Sequence, residues 1–457
     1  MNRRSRWLAL VPLAVLLVAS CAGAGRESDA GRLYRAHALD DRRTPVVIVP
    51  GMLGSRLARA DTGEERWPGS RTKLIVSGYE DLVLRIDPET LEPLDDGLVP
   101  SGLFEEAIGQ DFYGKLVRAL REQGGYLPSR PGQGVVQQKA RLYVFTYDWR
   151  QDNVGTVRKL DELIEQIRRD YGDPGLRVDV VAHSMGGLIV RYYQRYGTAD
   201  VLRGNVFPTS GAGAAKLRRV VMLGVPSQGA TLAIHKFLHG YQVGISRLPT
   251  EGVATMPGLF QFFPHPAVDW VVAADGTPLR LDLFDVDLWR RFGWSIFDRR
   301  VQRRIAQKPE VWPRQAVFER WFAKRLDRAR RFAWSLMVPA PGIDGGEMLV
   351  AGGDCLPTPR RLVIEEVDGE SLARLYPEQI LRPVRGVDYE ALMYEPGDGI
   401  VTRSSLLALQ APGPEAPSRL SALADLDDTH FVCTQHDALT GNRELIDNLL
   451  QFLLAEG

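Results

Sequence analysis

Apolar runs of strand length alternate with helical patterns along most of the chain. Residues 156–169, for example, carry apolar side chains at Val157, Leu160, Leu163 and Ile164, which is helical spacing. The strands are predicted at residues 45–49, 141–147, 177–182, 217–223, 333–338 and 348–352, and the helices at 156–169, 185–196 and 445–454. This alternation predicts an α/β fold, with a mostly parallel sheet and helices on both of its faces.

Residues 230–330 interrupt this alternation and are rich in Trp, Phe, Pro and Arg, so we predict that they form an inserted cap. Residues 289–332 contain 14 basic and 4 acidic side chains. One face of a helix predicted there is apolar and carries Phe318, Trp321, Phe322 and Leu326. Such a basic amphipathic helix suits a lipid surface, or it packs its apolar face on the core and leaves arginines in solvent.

The first 21 residues are typical of an export signal. Arg3, Arg4 and Arg6 precede an uncharged apolar run over residues 7–18, and small residues lead to Cys21. The last four residues resemble a bacterial lipobox, in which the cysteine is lipidated; the alternative is a plain signal peptide. We therefore expect a lipoprotein signal peptide (1–20), a flexible tether (21–44) and an exported, membrane-anchored protein of the cell envelope, in the outer membrane if the cell is Gram-negative.

The remaining chain has the composition of a globular protein. Of the 457 residues, 57 are basic and 57 acidic, so no charge excess favours nucleic acid as a partner. The chain is longer than the roughly 250–300 residues at which a single hydrophobic core stops growing. We therefore divide it into the first part of the core (45–229), the cap (230–330) and the second part of the core (331–457). No nucleotide-binding motif occurs, and no Glu follows His235 in a zinc-protease pattern, so we expect neither cofactor nor metal.

Two cysteines remain once Cys21 is assigned to lipidation. Cys355 and Cys433 form an even set in a chain that we expect to be exported. Oxidising compartments favour disulfides, so the sequence predicts a Cys355–Cys433 disulfide.

Ser184 is the candidate nucleophile. It lies in Ala182-His183-Ser184-Met185-Gly186, between a predicted strand and a predicted helix. A serine at such a turn exposes its hydroxyl, and small residues two positions away let the strand and the helix approach each other.

The serine needs a base and a carboxylate that orients the base. His436 precedes the last helix and is preferred over His430, which falls at or within a strand. Asp398 lies in a turn flanked by Gly397 and Gly399, which lets its carboxylate reach the imidazole. Its alternatives, Asp427 and Asp428, lie only nine and eight residues before His436.

An oxyanion intermediate needs backbone donors near Ser184. One candidate is the N–H of Met185, at the start of the helix. The glycine-flanked turn after the first strand offers a second donor, for which we choose Leu53 and keep Met52 as the alternative.

Several of these motifs together, in this order along the chain, resemble the lecithin:cholesterol acyltransferase (LCAT) family of α/β-hydrolases. They are Val49-Pro50-Gly51-Met52-Leu53-Gly54-Ser55, Tyr147-Asp148-Trp149-Arg150, Ala182-His183-Ser184-Met185-Gly186-Gly187, Leu223-Gly224-Val225-Pro226 with Gly229, and Gly397-Asp398-Gly399 followed by His436. The resemblance implies an α/β-hydrolase fold with a cap. It also implies the triad Ser184, Asp398 and His436, with Leu53 and Met185 as oxyanion donors.

The resemblance implies a lipid-active enzyme, either a phospholipid acyl hydrolase or an O-acyltransferase, that forms an acyl-enzyme on Ser184. Its partners would be a lipid or another acyl ester and a membrane surface, reached through the lipid anchor and the basic aromatic cap. The alternatives are an esterase or thioesterase for small non-lipid acyl groups, and a non-catalytic surface lipoprotein that binds lipid.

Overall fold

Seven parallel strands form the central sheet of the protein in a computed structural model. Every neighbouring pair is parallel, and the order across the sheet is β19 (Asp428–Val432), β14 (Glu347–Gly353), β10 (Leu217–Leu223), β9 (Val178–His183), β1 (Val46–Val49), β8 (Arg141–Val144) and β7 (Leu127–Pro128). This confirms the predicted α/β fold. The structure describes residues 44–70, 72–73, 77–107, 109–135, 139–243, 245–338, 346–408 and 428–455.

The strands of the described residues follow one another in this order along the chain. They are β1 (Val46–Val49), β2 (Ser55–Arg59), β3 (Glu65–Trp67), β4 (Leu98–Leu103), β5 (Glu106–Ala107), β6 (Gln110–Asp111), β7 (Leu127–Pro128), β8 (Arg141–Val144), β9 (Val178–His183), β10 (Leu217–Leu223), β11 (Tyr241–Val243), β12 (Ser246–Leu248), β13 (Val271–Ala273), β14 (Glu347–Gly353), β15 (Leu356–Pro359), β16 (Leu362–Val367), β17 (Glu370–Arg374), β18 (Tyr394–Gly397) and β19 (Asp428–Val432). Those outside the central sheet form five small sheets, namely β3-β2-β4, β5-β6, β11-β12, β13-β16-β17 and β15-β18.

The α-helices of the described residues lie mainly between strands of the central sheet and in the region predicted as the cap. They are α1 (Gly114–Glu122), α2 (Asn153–Tyr171), α3 (Met185–Tyr196), α4 (Thr231–His239), α5 (Thr250–Val253), α6 (Pro257–Phe260), α7 (Val286–Phe292), α8 (Arg299–Gln307), α9 (Gln315–Leu336), α10 (Tyr389–Met393), α11 (Arg403–Leu406) and α12 (Arg443–Leu454).

Two hydrophobic clusters cover the two faces of the sheet. In β1, Val47 and Val49 belong to the cluster that includes α2 and α3, while Val46 and Ile48 belong to the one with α1 and α12. Successive side chains of a strand point to opposite faces, so a strand buried on both sides is apolar throughout.

The prediction of a strand over residues 333–338 is wrong. Residues 333–336 form the end of α9, and Met337 caps that helix. Phe332 and Leu336 are buried together with Ala329 on one side of that helix, and the spacing of three and four residues is helical. Local composition suggested a strand because the segment is short and rich in apolar residues.

The region predicted as the cap shares structure with residues beyond its predicted limits. Helix α9 runs through residue 330, and β13 pairs in parallel with β16 in the second core segment. These elements join residues on the two sides of position 330. The predicted divisions at 230 and 330 both stay predictions.

The apolar face of α9 packs inside the protein. Its residues Phe318, Trp321, Phe322 and Leu326 are each 0% exposed. On the same helix Arg328 contacts Asp152 at 2.7 Å. The structure therefore fits the interpretation of a cap helix that packs on the core. Its apolar face is covered by protein and is not available to a lipid surface.

Residues 1–43 lie outside the described residues, and so do the predicted signal peptide, Cys21 and nearly all of the tether. Export and lipid anchoring therefore stay predictions. Within the described ranges, no helix combines the length and the apolar character that a membrane span requires.

Candidate functional site

A sharp turn between β9 and α3 presents Ser184 at the carboxyl edge of the sheet. Its backbone angles, φ 52° and ψ −119°, lie where an L-residue is strained. A Cβ on Gly186 would lie 2.3 Å from the carbonyl oxygen of Val49, so only glycine fits there. The other flanking residue, Ala182, is completely buried, so its methyl group is accommodated in the strand-to-helix turn.

Asp398 and His436 form a buried, hydrogen-bonded pair. Nδ1 of His436 lies 2.7 Å from Oδ2 of Asp398, and because a carboxylate only accepts, Nδ1 donates. The other carboxylate oxygen accepts the backbone N–H groups of Ile400 and Val401, at 3.0 and 2.7 Å. With its proton on Nδ1, the neutral imidazole has the lone pair of Nε2 available to accept a second proton.

The surroundings of His436 favour its protonated form. Burial lowers the pKa of this imidazole, but the charge of Asp398, the hydrogen bond to it and the charge of Asp437 outweigh burial and raise the pKa above its ordinary value. His183 differs, because burial lowers its pKa well below the ordinary value and the nearby His436 lowers it further. The site therefore contains one imidazole suited to proton transfer and one that stays neutral.

One cavity brings Ser184 and His436 together. His183, whose ring centroid lies 4.9 Å from that of His436, lines it as well. Most of the remaining wall is apolar: Met52, Ala230, Leu232, Ala233, Phe237, Tyr241, Val253, Leu259, Phe262 and Ile400. Such a cavity suits an apolar chain next to a reactive serine.

The predicted oxyanion donors lie on two sides of Ser184. Met185 is the first residue of α3, where backbone N–H groups have no partner within the helix. Met52 lines the cavity of Ser184, whereas Leu53 lines a neighbouring cavity and its carbonyl oxygen accepts a hydrogen bond from Nε1 of Trp67. These contacts do not involve the backbone N–H of either residue, so Leu53, with Met52 as the alternative, stays the predicted second donor.

Two buried tyrosines hold the turn that carries Met52. The N–H of Gly51 donates to the hydroxyl oxygen of Tyr113 at 2.8 Å, and that hydroxyl lies 2.8 Å from Nδ1 of His183. Since the oxygen accepts from Gly51, its proton is available to His183. Tyr147 donates to the carbonyl oxygen of Pro50 at 2.7 Å. Hydrogen bonds thus connect this turn to the residue that precedes Ser184.

We expect Tyr113→Phe to lower kcat roughly 10-fold with little change in KM. The substitution removes the hydrogen bonds to Gly51 and His183 while keeping the ring, and a lost hydrogen bond costs about 1 kcal/mol. Ester hydrolysis under saturating and limiting substrate measures both constants. Tyr171→Phe is the matched control, because its hydroxyl donates to the carbonyl oxygen of Lys139 at an exposed position. Equal kcat for the Tyr113 variant and wild type would contradict the role of this hydrogen bond.

The structure separates the alternatives for base and acid. His430 lies in β19 and contacts Glu444 at 3.1 Å. Asp428 is the exposed first residue of the same strand, whose other end leads to His436. Asp427 lies outside the described residues. Among the described candidates, the structure places Asp398 and His436 in contact.

Cys355 and Cys433 form a disulfide and lie 78 positions apart in sequence. Cys433 immediately follows β19 and Cys355 lies two residues after the end of β14, on the edge of the central sheet where Asp398 and His436 meet. The predicted pair is thus part of the surroundings of the site.

Two polar residues that line the cavity were not predicted from the sequence. Lys236 on α4 and Asp437 line it together with Ser184. Asp437 could have been predicted as a site residue because it directly follows His436. The sequence around Lys236 contains no pattern that indicates a role in the site. Across the described part of the chain, no group of three or more His, Cys, Asp or Glu side chains is arranged to hold a metal ion.

Residues 133–273 match the family model of lecithin:cholesterol acyltransferase. The match contains Ser184 and ends before Asp398 and His436. Among curated proteins, the Saccharomyces cerevisiae "Uncharacterized protein YJR098C" is 23% identical over 273 residues, which is 59% of this chain and 37% of that protein. The alignment therefore spans little more than a third of the relative.

Two solved structures align with about nine-tenths of this chain. A chain in the crystal structure of the Tle4–Tli4 complex is 14% identical, with 90% of this chain and 98% of that one covered at a TM-score of 0.55. The Bacillus licheniformis lipase BlEst2 in its mature form is 11% identical, with 91% and 94% covered at a TM-score of 0.33. The first of these similarities supports the fold.

Proposed function

Because this chain is an LCAT-like α/β-hydrolase, we propose that it hydrolyses lipid esters or transfers their acyl groups through an acyl-enzyme on Ser184. One observation carries the proposal: Ser184, on its strained turn, and His436 line one mostly apolar cavity, and Nδ1 of His436 is hydrogen-bonded to the buried Asp398. This combination of nucleophile, base and orienting acid supports acyl transfer.

In the proposed first step, Nε2 of His436 takes the proton of Ser184 as Oγ attacks the ester carbonyl. The carbonyl oxygen becomes an oxyanion, which the backbone N–H groups of Met185 and of Leu53, or its alternative Met52, would stabilise. The C–O bond to the leaving alcohol then breaks, and the alcohol departs with the proton from His436. In the second step water or another alcohol gives its proton to His436 and attacks the acyl carbon. The bond from that carbon to Oγ then breaks, His436 returns the proton to Ser184, and the acid or the new ester leaves.

The wall of the cavity supports lipid esters over small ones. Phe237, Leu259 and Phe262 are among its apolar lining residues, and each methylene of an acyl chain buried against such a surface contributes about 0.8 kcal/mol. A short acyl group gains little from such a surface. We therefore propose a long-chain acyl donor, which a lipid anchor on Cys21 would keep close to the enzyme.

Product analysis tests the proposal and identifies the acceptor. The full chain, extracted from membranes with detergent if Cys21 is lipidated, is incubated with acyl-labelled phospholipid, with and without a sterol or a long-chain alcohol. We expect labelled fatty acid if water is the acceptor, and a labelled ester that requires the added alcohol if the protein is a transferase.

Two other results would overturn this function. Turnover of acetyl or butyryl esters without turnover of long-chain lipid would indicate a small-substrate esterase or thioesterase. Binding of phospholipid without any product, and without labelling of Ser184 by a fluorophosphonate, would indicate a non-catalytic lipid-binding protein.

A further inference from the structure

The Cys355–Cys433 disulfide joins two turns that lead directly to the acid and to the base. Cys355 follows β14 by two residues and immediately precedes β15, while Cys433 immediately follows β19. Strands β14 and β19 are neighbours in the sheet, with Gly353 opposite Val432. Both cysteines are exposed, so a solution reductant has access to the bond.

The Cys355 side of the disulfide supports the acid. Leu356, the next residue, pairs with Gly397, which immediately precedes Asp398. In the same strand the hydroxyl oxygen of Thr358 accepts the backbone N–H of Gly399 at 2.9 Å. The β15–β18 pair therefore fixes both neighbours of Asp398 relative to Cys355.

The Cys433 side supports the base. Only Thr434 and Gln435 separate it from His436, whose backbone N–H donates to the carbonyl oxygen of Asp398 at 3.0 Å. The turns are in close contact, because a Cβ on Gly353 would lie 2.5 Å from the carbonyl oxygen of Thr434 and 2.8 Å from Cβ of Asp398. A small shift of the Cys433 turn would therefore move the imidazole relative to its carboxylate.

We propose that the Cys355–Cys433 disulfide is a positioning element of the Asp398–His436 pair, and that a dithiol reductant lowers turnover by releasing it. In the redox step the dithiol gives two electrons and two protons to the bond. The Cys355 and Cys433 sulfurs become thiols, and the reductant becomes a disulfide. The effect on turnover rests on the proposed function, whereas the effect on the Asp398–His436 hydrogen bond does not.

Kinetics of the full chain before and after treatment with dithiothreitol test this role. We expect kcat for a long-chain nitrophenyl ester to fall about 10- to 100-fold, because misplacement of a reacting group by about 1 Å costs this much. KM should change little, since neither cysteine lines the cavity. Reoxidation should restore kcat, and the double variant Cys355→Ser/Cys433→Ser should show the low kcat with no response to dithiothreitol.

A proton NMR spectrum supplies a readout that does not need catalysis. The downfield signal of the His436 Nδ1 proton reports its hydrogen bond to Asp398, and it should weaken or broaden when the disulfide is reduced. Circular dichroism of both forms shows whether the fold is intact. If thiol titration shows complete reduction while kcat and this signal are unchanged, the disulfide has no positioning role. If the signal responds but neither form turns over any ester, the positioning role stands and the proposed function fails.

Discussion

Replacing Ser184 with alanine is expected to lower kcat for lipid-ester turnover about 10⁶-fold. The hydroxyl oxygen is the atom that would form the acyl-enzyme, and loss of a triad nucleophile costs this much in other serine enzymes. The substitution keeps Cβ, and with it the contacts of the turn. Because the substitution leaves the proposed backbone donors to the oxyanion unchanged, a residual rate roughly 10³-fold above that of water should remain.

Active-site titration distinguishes this loss from misfolding. A fluorophosphonate should label wild type at Ser184 and should not label the alanine variant, while both give the same circular dichroism spectrum and melting temperature. Ser210→Ala is the matched control, because Ser210 lies on an exposed loop. A Ser184 variant that keeps more than a few per cent of wild-type kcat would show that another group is the nucleophile.

The best predicted part of the site was the segment around Ser184. Helix α3 begins at Met185 and ends at Tyr196, as its pattern predicted, and β9 ends immediately before Ser184. This was predictable because the small residues needed for a sharp strand-to-helix turn are adjacent in the sequence. The strand, the turn and the helix can each be recognised from residues that are adjacent in the sequence.

Long-range pairing was not predictable in the same way. The contact of Leu356 with Gly397 spans 41 positions, and no local periodicity in either segment indicates its partner. The hydrogen bond that holds the turn after β1 was not predictable for a related reason. The sequence around Tyr113 gives no sign that its hydroxyl accepts the backbone N–H of Gly51, 62 positions away.

The buried face of α9 shows a different limit of prediction from sequence. Its apolar spacing correctly indicated an amphipathic helix, yet the same pattern fits a helix on a lipid surface and a helix on a protein core. Only the tertiary structure decides between them. Phe237 of α4 and Phe322 of α9 lie 6.2 Å apart, centroid to centroid, inside one aromatic cluster.

Asp398→Asn is expected to lower kcat about 10⁴-fold. The backbone N–H groups of Ile400 and Val401 require an oxygen at one side-chain position, so the new amide would turn its NH₂ group towards Nδ1 of His436. Nδ1 would then have to accept, which places the ring proton on Nε2. An imidazole protonated at Nε2 cannot take the proton of Ser184.

The same substitution should also move the acidic limb of the pH profile of kcat/KM to lower pH. The charge of Asp398 and its hydrogen bond raise the pKa of His436 against the effect of burial, so their loss lowers this pKa. Asp437 on the same turn keeps its own effect, and His183 on β9 stays neutral because burial lowers its pKa. A steady-state profile of the Asn variant beside wild type gives this shift, provided that its residual activity is not due to contaminating wild type.

Matched variants of the two other candidate acids complete the test. Asp428→Asn should keep nearly all activity, since Asp428 begins β19 and the strand separates it from His436. Asp427→Asn supplies the same comparison one position earlier in the chain. If Asp398→Asn kept most of its kcat while one of these two variants lost it, the orienting acid would be that residue. The buried Asp398–His436 hydrogen bond would then serve to hold the two turns together, with another carboxylate needed to orient the imidazole during catalysis.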